Sequence, residues 1–120
     1  MSPTLLIVED SDLNRDLLVQ IFEDSYDLEL ATDGWTAVMT AAKKPLDLIL
    51  MDIELPRMGG LEAVRAIRAR STEVPIIAVS SHVMPGDRER ALEAGCDAFV
   101  GQPIDDVQLT ALVARHLGRR

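Results

Sequence analysis

Three acidic residues stand where two apolar runs stop. Leu5-Leu6-Ile7-Val8 runs into Glu9-Asp10, and Leu46-Asp47-Leu48-Ile49-Leu50-Met51 runs into Asp52. Continuous apolar runs of this kind read as strands buried on both faces of a parallel sheet. The acids then lie at the carboxyl ends of the strands, the edge where open α/β sheets bind ligands. Carboxylates gathered there repel one another unless a cation lies between them, and an oxygen-only ligand set suits a hard divalent ion such as Mg²⁺. A carboxylate in such a place can also act as a nucleophile. The plainer use of these acids is to cap helices, but capping does not require acids at both strand ends.

The elements that must position these residues follow from the hydrophobic pattern. A first strand is predicted over 4–8. Ser11 caps a helix on which Leu17, Leu18, Ile21 and Phe22 recur as a buried stripe, with Leu13 and Val19 off it and exposed. A shorter strand covers 27–31, and Asp33-Gly34 is a turn ahead of a helix over 35–43 that Pro45 ends. The third strand covers 46–51, and the loop 52–59 opens a helix over 60–70. A fourth strand covers 74–79. Pro85 suits the first turn of a helix that stops at Gly95. A fifth strand covers 97–100, and Asp105 caps a last helix with Leu109, Leu112, Val113 and Leu117 on its inner face. Strands alternating with helices imply a parallel sheet covered on both sides.

The bulk numbers bound the possibilities. A chain of 120 residues with 48% hydrophobic content makes one domain, spanning 1–120, with a real core. The net charge of −8 argues against direct contact with nucleic acid, whose phosphates it would repel. A single cysteine, Cys96, cannot form an internal disulfide, which points to a reducing compartment. No apolar run approaches the roughly 20 residues needed to span a bilayer, and the first residues carry no basic, apolar signal. The expectation is a cytoplasmic protein with no membrane insertion.

Four stretches in order, IVED at 7–10, LILMDIELPRMGGLEA at 48–63, PIIAVSS at 75–81 and AGCDAFVGQPI at 94–104, make the chain resemble the receiver domain of two-component response regulators. The resemblance covers essentially the whole chain. It implies a flavodoxin-like (βα)5 doubly wound sheet in strand order 2-1-3-4-5. It makes Asp52 the phosphoryl acceptor, with Mg²⁺ held by Glu9, Asp10, Asp52 and the backbone carbonyl of Glu54. Ser80 matches the hydroxyl residue that moves to the phosphoryl group, and Phe99 the aromatic switch position. Glu54 and His82 match positions that tune hydrolysis of the phosphoryl group. The implied partners are a histidine kinase or histidine phosphotransfer protein, meeting the first helix near Leu13, and an unnamed downstream protein. The family's output face falls at about 85–117, where Arg88 and Arg90 lie.

One position departs from the family pattern. Gln102 precedes Pro103 where the family has lysine, and the chain's lysines are Lys43 and Lys44 alone. An amide donates a hydrogen bond but supplies no charge. The leading expectation is a stand-alone receiver that signals by protein–protein contact and is not an enzyme. The first rival is a receiver-like adaptor that works without phosphorylation, its switch lost at Gln102. The second is a Mg²⁺-dependent aspartyl phosphatase of the haloacid-dehalogenase kind. That family places Asp-x-Asp on its first strand, whereas Asp52-Ile53-Glu54 follows the third.

Overall fold

Buried apolar runs dictate the sheet. In the computed structural model, which describes residues 2–80, 83–101 and 103–118, they form five parallel strands: β1 (Thr4–Val8), β2 (Asp27–Ala31), β3 (Leu48–Asp52), β4 (Ile76–Ser80) and β5 (Ala98–Gly101). Their order is β2-β1-β3-β4-β5, as the resemblance implies. Between and after them lie α1 (Asp12–Phe22), α2 (Gly34–Lys43), α3 (Gly60–Arg68), α4 (Asp87–Ala94) and α5 (Asp106–Gly118).

Strand residues alternate between two cores. Leu6, Val8, Ile49, Met51, Ile76 and Ala78 meet Ala37 of α2, Val64 and Ile67 of α3, and Ala91 of α4. Leu5, Ile7, Leu48, Leu50, Ile77 and Val79 meet Leu18 and Phe22 of α1 and Leu109 and Val113 of α5. Both faces being covered, β1, β3 and β4 have no polar face, which is why their sequences do not alternate. The edge strand β2 is only partly buried, and its sequence is correspondingly mixed. The chain leaves β1 for the β2 edge and later proceeds from β3 toward β5. That reversal between β1 and β3 opens a crevice at their carboxyl ends.

Caps fix where helices begin. Ser11 Oγ accepts from the Asn14 amide at 3.3 Å, Asp33 Oδ1 from Thr36 at 2.8 Å, and Asp105 Oδ1 from Val107 at 2.9 Å. Such caps are typically worth about 1 kcal/mol each.

Several expectations are corrected. Leu17, predicted in the buried stripe of α1, is 48% exposed, and Val19, predicted exposed, is partly buried. At 100° per residue, a face centred between Leu18 and Phe22 has Val19 on its flank and Leu17 well round the helix beside Leu13. The helix expected from Pro85 starts at Asp87, after Gly86 in the left-handed region (φ 85°). Asp87 Oδ2 reaches back to the Met84 amide at 2.7 Å, so Pro85 belongs to the lead-in turn. Strand β3 begins two residues later than predicted. Asp47 is tied to the start of β1 through its own amide and through its carboxylate, which accepts from the Thr4 amide at 2.7 Å. Strand β4 likewise begins two residues later than predicted, at Ile76, and runs on to Ser80, and buried His116 joins the inner face of α5.

Candidate acidic phosphoacceptor site

The crevice between β1 and β3 collects the predicted acids. Glu9 directly follows β1, and its amide extends the ladder to Ala31 O at 3.0 Å. Asp52 is the last residue of β3 and is only 4% exposed; Glu9 is 5% exposed, while Asp10 faces solvent. Ligand oxygens of Glu9, Asp10 and Asp52 all lie within 4.8 Å of one another.

Among the described residues, two backbone amides offset this charge. Asp52 Oδ1 accepts from the Glu54 amide at 2.9 Å, and Glu9 Oε2 from the Ser11 amide at 3.1 Å. Burial pushes the Asp52 carboxyl up to about 8; the Glu54 amide works against the shift and the neighbouring Glu9 and Asp10 add to it. Burial likewise raises Glu9, against the Ser11 amide. Both shifts mark a site where negative charge is under-compensated. A hard cation satisfies the all-oxygen donor set and that charge together, so the residues present fit Mg²⁺.

Glycine lets α3 close on Asp52. A Cβ at Gly60 would lie 2.2 Å from the Asp52 carbonyl oxygen, which no other residue tolerates without movement of the backbone. The Gly60 amide donates to Ile53 O at 3.3 Å.

Ser80, fully buried at the end of β4, lies beside Asp52, because Val79 is the partner of Asp52 in the sheet. Its hydroxyl donates to Glu54 Oε1 at 3.2 Å. Glu54 therefore addresses Asp52 with its amide and Ser80 with its side chain. Phe99 pairs with Ala78 across β4 and β5 and is partly buried against the α2–α4 core. Gln102 and His82 lie outside the described residues.

Sequence reasoning missed three participants. Arg15 on α1 donates to the Glu9 carbonyl at 3.1 Å and pairs with Asp12. Arg57, in the loop between β3 and α3, pairs with Asp33 at the start of α2. Asp33-Gly34 had been read only as a turn. Residues 33 and 57 are 24 apart, and no local pattern announces their pairing.

The comparisons agree with this geometry. The response regulator receiver domain model matches residues 5–114. The chain is 35% identical over 121 residues to the polar-differentiation response regulator DivK of Brucella ovis, covering 98% of each. It is 35% identical over 119 residues to the signal transduction histidine-protein kinase BarA of Escherichia coli K12, where it spans 13% of that protein's length. Among solved structures, it resembles the receiver domain of sensor histidine kinase PA1611 from Pseudomonas aeruginosa PAO1, a crystal structure with a magnesium ion coordinated in the active site cleft. The TM-score is 0.91 and the identity 34%, over 98% of this chain and 99% of that one. Acids at the ends of β1 and β3, a buried serine closing β4 and strand order 2-1-3-4-5 are thus joined to a family match across nearly the whole length, and the chain belongs to the response regulator receiver domains of two-component systems.

Proposed function

We propose that the chain accepts a phosphoryl group on Asp52 from the phosphohistidine of a histidine kinase or histidine phosphotransfer protein, and signals by binding a downstream protein. The observation that carries this reading is the buried Asp52 carboxylate, with Glu9 and Asp10 within 4.8 Å at the crevice where the sheet order reverses. One carboxylate oxygen of Asp52 attacks phosphorus. The P–N bond breaks, its electron pair returns to the imidazole, and an acyl phosphate forms. Glu9, Asp10, Asp52 and the Glu54 carbonyl would hold Mg²⁺, which when bound would supply charge neutralisation for the phosphoryl oxygens. The Glu54 amide orients Asp52, and the Ser80 hydroxyl exchanges Glu54 for a phosphoryl oxygen. Phe99 follows the movement of Ser80, Gln102 offers an amide where the family has lysine, and Glu54 and His82 tune the lifetime of the phosphoryl group.

The protein is proposed to work as a cytoplasmic signalling module, not as a turnover enzyme. No helix among the described residues is long and apolar enough to cross a membrane. The test is labelling by acetyl phosphate or phosphoramidate with Mg²⁺, read on a phosphate-affinity gel. Wild type should shift and Asp52→Asn should not, because an amide is a poor nucleophile. Labelling that survives Asp52→Asn would move the acceptor elsewhere, and failure with every donor would favour the phosphorylation-independent adaptor.

A further inference from the structure

The loop between β3 and α3, residues 53–59, carries the main chain that addresses Asp52, and it is fastened to α2 at a point the acceptor chemistry does not explain. Arg57 is the one non-glycine among the described residues with positive φ, at 65°. The left-handed conformation is unfavourable for a side chain with a Cβ, so a compensating interaction is expected there. Arg57 has one: its guanidinium pairs with Asp33 Oδ2. Asp33 is buried, and its other oxygen caps α2 at the Thr36 amide, so the anion that Arg57 grips is itself bonded to the start of α2. The next residues also approach closely. A Cβ at Gly34 would lie 2.4 Å from the Met58 carbonyl oxygen, so the start of α2 and the loop are in direct contact.

Ahead of this anchor the loop makes two contacts with the site. Its first residues supply the Glu54 amide to Asp52 Oδ1 and the Glu54 carboxylate to Ser80. We propose that Arg57 is a positioning residue of the phosphoacceptor site: by clamping the loop to Asp33 it holds the Glu54 main chain against Asp52, and so sets the affinity of the site for a divalent cation. The metal part of this inference rests on the proposed function; the clamp does not.

The variants must separate charge from backbone strain. Arg57→Asn removes the cation but keeps a residue that tolerates positive φ. Arg57→Lys keeps the cation. Asp33→Asn removes the anion but retains an oxygen for the Thr36 cap. All are made in the full chain, and cooperative thermal unfolding verifies folding. Titration calorimetry with MgCl2 should show Kd raised about threefold in Arg57→Asn and Asp33→Asn, below the roughly tenfold or more that follows loss of a group bonded directly to a metal ligand. Arg57→Lys should recover most of the wild-type affinity. In metal-free protein, the ¹⁵N order parameters of residues 53–58 should fall from about 0.85 toward about 0.6 in the two Asn variants. Unchanged order parameters in Arg57→Asn would overturn the clamp, as would a Lys variant as loose as the Asn variant. Wild-type protein with no Mg²⁺ affinity would overturn the metal reading, and the order parameters would still decide the clamp. Loosened order parameters with unchanged Mg²⁺ affinity would overturn the positioning role.

Discussion

At the scale of single residues, the acidic site is built against its own stability. Asp52 is raised to about 8 from an ordinary value of 3.8, chiefly by burial, so between those two pH values the folded protein binds more protons there than the unfolded chain does. Stability from this group is therefore greatest below about pH 4 and declines as pH rises toward 8. Near pH 7.5 without divalent metal, Asp52→Asn should stabilise the fold by roughly 2 kcal/mol, raising Tm by about 5–10 °C. Added Mg²⁺ should raise the Tm of wild type more than that of the variant. Scanning calorimetry in EDTA and in MgCl2 checks both, and a variant less stable than wild type in EDTA would show that Asp52 is satisfied without a cation. Asp33 has the opposite sign. Hydrogen bonding by Thr36 first, and the charge of Arg57 with it, hold it below its ordinary value. Its contribution is present at neutral pH and is lost as pH falls through that lowered value. Asp52, Glu9 and Asp10 were legible in the sequence because strand ends expose a change from apolar to acidic. The Glu54–Ser80 and Arg57–Asp33 contacts were not, because they join residues 26 and 24 positions apart.

At the scale of elements, Arg68 fastens the β4–β5 side of the sheet at the end opposite the site. Arg68, the last residue of α3, donates to Gly95 O at 2.8 Å and Val74 O at 2.7 Å, and pairs with Asp97 at 2.9 Å. Asp97 in turn accepts from the Ile76 amide at 2.8 Å. Arg68 thereby ties the end of α3 to the starts of β4 and β5. Arg68→Ala strands these carbonyls and should cost about 2–4 kcal/mol in urea denaturation, because unmade bonds to a charged group carry the desolvation penalty as well. Mg²⁺ affinity, set at the other edge, should hardly change; an altered affinity would show that the two edges are coupled. The strands themselves were readable because burial on both faces leaves an uninterrupted apolar run. The buried face of α1 was misread because Leu17 and Leu18 are adjacent and equally apolar, and only packing chooses between them. The start of α4 was misread because Pro85 serves a turn as well as a first helical residue, and the reach of Asp87 back to Met84 decides it.

At the scale of the whole molecule, a switch needs an event at Asp52 to be felt on a surface that another protein can bind. Two contacts among the described residues lie on the molecule's β5 side. Ser80 is paired with Gly101 across β4 and β5. The side chain of Val83, three residues past Ser80, rests on Gly101 so closely that a Cβ there would lie 2.3 Å from Val83 Cγ2. Val83 and the end of β5 are therefore packed together, and Gln102 follows Gly101 at once in sequence. A lysine at that position would bring a cation toward the phosphoryl charge. Two unit charges at ~4 Å interact by about 4 kcal/mol at an effective dielectric near 20. The amide of Gln102 can donate a hydrogen bond but lacks that attraction, and a switch whose states differ by a few kcal/mol is sensitive to the difference. Addition of beryllofluoride with Mg²⁺, a mimic of the acyl phosphate, should therefore shift the amide resonances of residues 83–104 only partway in wild type. Gln102→Lys should enlarge those shifts along the same direction. Equal shifts in both proteins would mean that the amide suffices and that the packing of Val83 on Gly101 transmits the signal without the cation. Shifts confined to residues 52–60 in both would mean that Asp52 binds the mimic while the output surface stays fixed, and that a partner reads a single conformation.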